Sequence, residues 1–328
     1  MEEAIFVLVL LGIISLVAIA AVAAVAGIAA LFRVPFRSVF LNGLWVLLLP
    51  PALFLYGWLA GRDAVVVNRV EISSGRLPSS FDGYRVVQIS DMHLRSFRGR
   101  DEVLRRIVDS VNAQHPDIVA FTGDLVTTVP DEIPHFVEEL SRLEAADGIF
   151  SVMGNHDYCP YNDWDSPEER EEAVALVRRH EKELGWRLLD DASFILRRPS
   201  AAGVDSVAVT GVENISAMRQ FETHGDLGKA LEGTGGCFKI LLSHDPTHWR
   251  YGVTGREDIV LTLSGHTHNA QFKFLGLEPS RLLYRENSGL YREGEQYLYV
   301  NDGLGETMFP ARIGVPAEIT VFTLRTAL

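Results

Sequence analysis

Residues 4–32 form an uncharged, apolar run of 29 side chains, too long and too greasy for the surface of a water-soluble fold. A helix needs about 20 apolar residues to cross the hydrocarbon core of a bilayer, so the run predicts a membrane span. A second uncharged run covers residues 39–61. It holds Asn42 and the pair Pro50 and Pro51, which predict a kink, and Trp45, Tyr56 and Trp58, which suit the headgroup level. A cleaved signal peptide starts with basic residues and has only ~7–15 apolar ones. Here the start is Met1, Glu2, Glu3, so that reading is rejected. Residues 1–61 are therefore expected to be a membrane hairpin with helices over about 4–32 and 39–61; one span plus a buried helix is the alternative. Arg33 and Arg37 lie in the intervening turn, which tips the part after residue 61 toward the extracytoplasmic face of a cell (inner) membrane. Arg62, Arg69 and Arg76 argue the other way, and orientation stays open.

Charge divides the chain at the same point. Before residue 62 only Glu2, Glu3, Arg33 and Arg37 are charged. Residues 62–328 hold the other 28 of the 30 basic and 41 of the 43 acidic side chains, and with them the whole formal charge of −13. Nucleic-acid binding needs a basic footprint, so nucleic acid is not an expected partner, although Arg95, Arg98 and Arg100 mark a local positive spot. No protein partner is predicted. Two cysteines, Cys159 and Cys237, are too few for a disulfide framework and lie in no zinc-thiolate motif.

From about residue 63, short runs rich in valine and isoleucine alternate with charged, helix-like stretches. Strands are predicted over 64–72, 84–89, 118–122, 148–153, 194–197, 204–211, 238–242, 259–263, 296–300 and 318–324. Helices are predicted over 100–114, 133–144, 167–184 and 226–231. The alternation reads as an α/β domain over residues 62–328 with a largely buried sheet.

Five of those strands run into metal-capable residues: Asp91 and His93; Asp124; Asn155, His156 and Asp157; His244; His266 and His268. Sites in open α/β sheets collect at the carboxyl ends of strands, so five such ends meeting on one rim would build one site. Two carboxylates, an amide oxygen and several imidazoles suit manganese, iron or zinc better than calcium or magnesium. In an extended segment residues i and i+2 point the same way; on that basis Asp91 and His93 would share one ion, and His266 and His268 would serve one ion or two neighbours. Gly123, Gly154 and Gly265 each precede a candidate ligand, where the lack of a Cβ permits close backbone approach.

The set Asp91-x-His93, Gly123-Asp124, Gly154-Asn155-His156-Asp157, His244 and Gly265-His266-x-His268 resembles the calcineurin-like metallophosphoesterase family over roughly residues 64–328. It is most similar to the bacterial membrane-linked phosphodiesterase branch, which includes a UDP-diacylglucosamine pyrophosphatase. The resemblance implies a four-layer α/β/β/α sandwich and two divalent metal ions, manganese first among the choices. It implies that Asp91, His93 and His268 hold one ion, that Asn155, His244 and His266 hold the other, that Asp124 bridges them, and that His156 stands beside the phosphate without ligating. Where the family often has an acid three residues after the bridging aspartate, this chain has Thr127.

Two ions roughly 3.5–4 Å apart clamp the attacking and leaving oxygens of an in-line displacement, with a bridging hydroxide as the expected nucleophile. Expected catalytic roles are proton transfer for His156, orientation of that ring for Asp157 and a phosphate contact for Arg95. The expected substrate is a phosphodiester or pyrophosphate, with a lipid-linked one suggested by the anchor. A phosphomonoesterase acting on soluble substrates and a scaffold with a vestigial metal site are the alternatives. Residues 291–305 read as a strand and a glycine-rich turn, either shaping a leaving-group pocket or serving as a plain structural turn.

Overall fold

The computed structural model describes residues 2–201, 203–256 and 258–327. Helix α1 (Glu2–Leu31) is followed by a turn at Arg33 and by α2 (Phe36–Gly43), a 3-10 stretch (Leu44–Leu48) and α3 (Leu49–Leu59). The expected kink takes the form of that 3-10 stretch. Pro50 and Pro51 sit in the first turn of α3, where their missing N–H groups cost nothing, and the tighter 3-10 winding accommodates the rings against the preceding turn. Both helical tracks are long and apolar enough to cross a bilayer. Leu8, Leu16, Val17, Leu31, Trp45 and Leu59 lie exposed along them, as lipid-facing side chains would.

Among the described residues the rest is built from twelve strands. The first half contains β1 (Val65–Ser74), β2 (Arg85–Ile89), α4 (Asp101–Asn112), β3 (Ile118–Phe121), α5 (Val137–Leu140), β4 (Gly148–Ser151), α6 (Pro167–Glu183) and β5 (Arg187–Leu188). The second half contains β6 (Ala192–Ser200), β7 (Gly203–Gly211), α7 (Leu227–Ala230), β8 (Phe238–Leu242), β9 (Ile259–Ser264), β10 (Gly289–Glu293), β11 (Gln296–Val300) and β12 (Ala317–Thr326). One sheet has the order β1-β12-β2-β3-β4-β5 and the other β10-β11-β9-β8-β7-β6. The helix expected over 133–144 shrinks to a 3-10 turn (Pro134–Phe136) and the single turn of α5. Strands β5 and β10 were not foreseen: one is two residues long and the other carries charged and glycine residues.

Side-chain alternation produces the layers. In β2, Val87 and Ile89 join Leu104, Ile107 and Val111 of α4 in one core, whereas Val86 joins Ile118, Ala120, Val207, Val209 and Ile240 between the two sheets. In β8, Ile240 and Leu242 face that inner core while Leu241 packs with Trp249, Val253 and Leu298 outside. Three apolar layers between four tiers of structure make an α/β/β/α sandwich. At about 25 cal/mol per Å² of apolar area removed from water, these cores supply the main drive to fold.

Register fixes where the two apolar helices enter. Strand β12 is antiparallel to β2, with Thr320 opposite Gln88, so Ala317 lies past the carboxyl end of β2. Strand β1 is parallel to β12 and starts at that end, with Val65 opposite Ala317. The chain leaving α3 therefore enters the domain on the rim where β2, β3 and β4, parallel to one another, have their carboxyl ends.

Candidate metal centre

The loops after β2, β3, β4, β8 and β9 meet on this rim. Their backbones leave the strands abruptly: Asp91, His93, Asp124, His266 and His268 all have φ between 43° and 71°. Non-glycine residues adopt this left-handed region at a cost and persist there only when the surroundings hold them. The i, i+2 argument for Asp91 and His93 is thus corrected: neither residue is extended, and the two side chains meet because the backbone reverses. The same kind of reversal separates His266 from His268. His268 lies with Asp91 and His93, whereas His266 lies with Asp124 and His244.

The distances define two adjoining clusters. His93 Nε2 is 3.0 Å from His268 Nε2, and His268 Nε2 is 3.2 Å from Asp91 Oδ1. His244 Nε2 is 3.1 Å from Asn155 Oδ1 and 3.2 Å from His266 Nδ1. Asp124 Oδ2 lies between the clusters, 3.6 Å from His93 Nε2 and 3.2 Å from His244 Nε2. Its other oxygen, Oδ1, accepts the His156 backbone N–H at 2.8 Å. The carboxylate is thereby fixed with one oxygen locked and the other presented to both clusters.

Close approach depends on glycine at two places. A Cβ on Gly154 would collide with the Asp124 carboxylate, and one on Gly265 would collide with Ser90 and Asp91. With Gly265 in place, the next amide, His266 N–H, reaches both oxygens of Asp91 at 3.0 Å.

This donor set fits cations. His244 Nδ1 lies 2.8 Å from the Thr122 carbonyl and donates to it, so Nε2 is the atom that faces an aspartate, an amide oxygen and another imidazole. Lone pairs gathered this way repel unless positive charge lies among them. Burial disfavours charge on the His244 ring, yet the Asp124 carboxylate outweighs it and pushes the imidazolium up to about 10. Burial likewise opposes ionisation of Asp124, and the surrounding imidazoles, His244 first, hold it well below the usual carboxylate range. His93 goes the other way, driven well below its ordinary value by burial and by His156. A neutral His93 offers a lone pair, as a metal ligand must.

His156 and Asp157 stand differently from expectation. Asp157 does not orient the His156 ring. His156 Nδ1 instead donates to the Thr127 carbonyl at 2.7 Å, and its ring packs edge-on to His93 and against Tyr161. The buried Asp157 carboxylate accepts four backbone amides: Asp124 (2.8 Å), Leu125 (2.8 Å), Val126 (3.1 Å) and Gly154 (2.9 Å). Burial first, and then the Asp124 charge, raise it to about 7. An acid directly after a histidine reads as its orienter in sequence; the turn His156–Tyr158 sends it the other way, into the β3 and β4 loops.

Arg95 is exposed, with Nη1 3.5 Å from Thr128 Oγ1. The positive spot is dispersed: Arg98 Nη2 donates to the Asp131 carbonyl, and Arg100 pairs with Asp63 at 2.6 Å and with Glu306 at 2.9 Å beside the end of the membrane segment. Residues 301–305 run beneath the Asp91 loop, where the N–H of Gly305 donates to the Asp91 carbonyl at 2.8 Å. Cys159 and Cys237 are both buried and unpaired with each other.

Several residues escaped the sequence reading. Glu132 accepts the backbone amides of Arg95, Thr127, Thr128 and Val129. The Tyr284 hydroxyl lies 3.0 Å from His266 Nε2, and Tyr161 receives the Asn155 amide at 3.1 Å. The fully buried Arg312 guanidinium lies 3.4 Å from His268 Nδ1 and donates to the carbonyls of Gly305 and Asp302. None sits in a strand-end motif; only the adjacency of Asp245 to His244 signalled a carboxylate, which lies 3.6 Å from His266 Nε2.

Such a constellation on a four-layer sandwich is a metal-dependent phosphoester site by class, and the comparisons agree. The family model for calcineurin-like phosphoesterases matches residues 84–270. The chain belongs to the calcineurin-like phosphoesterase family, whose members use divalent metals. It is 33% identical over 289 residues to a zebrafish (Danio rerio) transmembrane protein with metallophosphoesterase domain, covering 86% of this chain and 62% of that one. It therefore spans under two thirds of that relative. It is 29% identical over 303 residues to the uncharacterized metallophosphoesterase YkuE of Bacillus subtilis, covering 88% of this chain and 98% of that one. It is also 29% identical over 287 residues to the UDP-2,3-diacylglucosamine pyrophosphatase LpxG of Chlamydia trachomatis, covering 72% and 83%.

Proposed function

We propose that the protein is a membrane-anchored phosphodiesterase or pyrophosphatase with two divalent metal ions, manganese the preferred one, acting on a lipid-linked substrate. One observation carries the substrate reading: α3 enters the domain at the rim that holds the metal cluster. A site so tethered faces the bilayer at short range, as hydrolysis of a lipid headgroup requires. That a similar chain is named for a lipid-linked pyrophosphate supports the same class. In this reading the domain lies on the extracytoplasmic side, with the Arg33 and Arg37 turn inside.

Asp91, His93 and His268 would hold one ion, Asn155, His244 and His266 the other, and the free oxygen of Asp124 would touch both. When bound, the two ions lower the pKa of water and neutralise charge on the phosphoryl group. His156 supplies the remaining polar contact. With Nδ1 tied to Thr127, its Nε2–H meets a phosphoryl oxygen and passes that proton to the departing oxygen, an alkoxide from a diester or a phosphate from a pyrophosphate. Tyr161 and the Thr127 carbonyl hold that ring in place. Asp157 and Glu132 do not touch substrate; they fix the backbone that carries Asp124 and His156.

The test is a screen of the full-length chain in detergent, stripped of metal and reloaded with Mn²⁺, Zn²⁺, Fe²⁺ or Mg²⁺. Substrates should include a chromogenic diester and monoester, a phospholipid and a UDP-linked diacyl lipid. Turnover of a diester or lipid-linked pyrophosphate, highest with Mn²⁺, is expected. Turnover of the monoester alone, or of none, would overturn the proposal.

A further inference from the structure

Outside the metal cluster, the described residues carry one dense group of exposed large apolar side chains in the domain. Leu275 is 92% exposed, Leu277 64%, Leu282 88% and Leu283 70%, all within one stretch between β9 and β10. Leu275 deepens the puzzle. Phe274 and Leu277 bond to each other across a two-residue turn of Leu275 (φ 49°) and Gly276 (φ 79°). A turn with both central residues left-handed favours asparagine or aspartate before glycine, because a leucine there is strained. A residue that is both strained and unburied adds nothing to folding, so its apolar character needs another explanation. A contiguous exposed apolar patch marks an interaction surface.

The position of the patch identifies its occupant. Lys273 N–H donates to Ile313 at 2.7 Å, Ile313 N–H donates to Gln271 at 2.8 Å, and the next residue back, Arg312, donates its N–H to Gly57 of α3 at 3.3 Å. The same loop carries exposed Met308, and Phe309 stacks on Phe6 of α1 with ring centroids 6.5 Å apart. The segment that carries the leucines is thus joined at Lys273, through residues 312 and 313, to α3, and residue 309 of that same connection packs on α1. Lys273, Arg281 and Arg285 surround them and are exposed, whereas their carboxylate partners Glu278 and Glu286 are buried. The outward face is apolar with a basic fringe, the composition that suits an anionic headgroup layer.

We propose that residues 273–285 form a bilayer-docking surface, with Leu275, Leu277, Leu282 and Leu283 inserted among the lipid headgroups and upper acyl chains. The inference rests on the spanning assignment for α1 and α3 but not on which phosphoester is cleaved. Its consequence for the site is direct. Tyr284, at the end of this segment, contacts His266 at 3.0 Å, so docking would hold the metal cluster beside the headgroup plane.

The experiment uses the full-length chain in phosphatidylcholine vesicles containing phosphatidylglycerol. Single cysteines at Leu275→Cys and Leu282→Cys carry an environment-sensitive fluorophore; Cys159 and Cys237 are buried, and the unmutated chain checks that they stay unlabelled. Leu16→Cys in α1 reports spanning. Val204→Cys, exposed at the start of β7 and so at the strand end away from the rim, reports water. Probes at 275 and 282 should be blue-shifted and quenched several-fold more than the 204 probe by brominated lipid. Quenching at 16 but not at 275 or 282 overturns the docking surface alone. No quenching at 16 overturns the spanning assignment and the inference with it. Shielding at 275 that vanishes on dilution into excess lipid assigns the patch to a second copy of the chain, and also overturns it.

Discussion

Replacing Glu132 by glutamine should destabilise the domain and slow turnover while leaving metal content intact. Glu132 is 2% exposed. Its Oε2 accepts the N–H groups of Thr127 (2.7 Å) and Arg95 (3.1 Å), and its Oε1 those of Thr128 (2.9 Å) and Val129 (3.3 Å). A glutamine keeps one oxygen and aims an NH₂ at two backbone donors, so two bonds are lost whichever way the amide turns. Bonds to a charged acceptor contribute about 1.5–3 kcal/mol each, so the loss is roughly 3–6 kcal/mol. At roughly 2–4 °C per kcal/mol for a domain of this size, Tm should drop by about 10 °C. The loop so released also carries the Thr127 carbonyl that fixes His156, and kcat should therefore fall about tenfold or more, since a displaced catalytic group loses its alignment. Asp124 lies three residues earlier in the same loop, but its carboxylate is held by the His156 amide and its backbone N–H by Asp157, independently of Glu132, so bound metal should be unchanged. Thermal melting in detergent, metal analysis and diester turnover together read all three. A Tm within about 2 °C of the parent would refute the reasoning, because it would mean that these amides do not depend on the carboxylate.

Three further outcomes are expected. His156→Ala should keep its bound metal and lose about 10²–10⁴ in kcat, the usual worth of a positioned proton donor; metal loss with turnover preserved would contradict its assigned role. Asp124→Ala should deplete both ions in elemental analysis, since its free oxygen faces both clusters, and retention of one full equivalent would show that it does not bridge. His248 is buried beside Ser243 and is pushed down to about 4 by burial, against the pull of Asp245. A depressed histidine contributes stability that is intact above pH 6.5 and is lost as pH falls toward 4, here up to about 3 kcal/mol. His248→Gln should flatten that acid limb of the Tm–pH curve, and an unaltered limb would assign it to other groups.

The sequence alone carried the composition of the centre. Strands of valine and isoleucine ending in Asp, Asn or His set the ligand chemistry, because strand propensity and donor type are local properties. The two long apolar helices were legible for the same reason, since runs of twenty or more uncharged residues show in the sequence itself. The partition of the histidines came from the family resemblance and was not legible from residue spacing. Whether His268 joins Asp91 and His266 joins Asp124 depends on left-handed backbone at five residues, and such strain is held by tertiary hydrogen bonds rather than by local preference. The roles of Asp157 and Glu132 were hidden likewise, since their partners are backbone amides, which every sequence offers equally. Tyr284 and Arg312 reach the cluster only through long-range packing. Most of all, the meeting of the apolar helices and the candidate metal ligands on one rim came from the antiparallel pairing of β12 with β2 and its parallel pairing with β1, a register that no stretch of the chain encodes by itself.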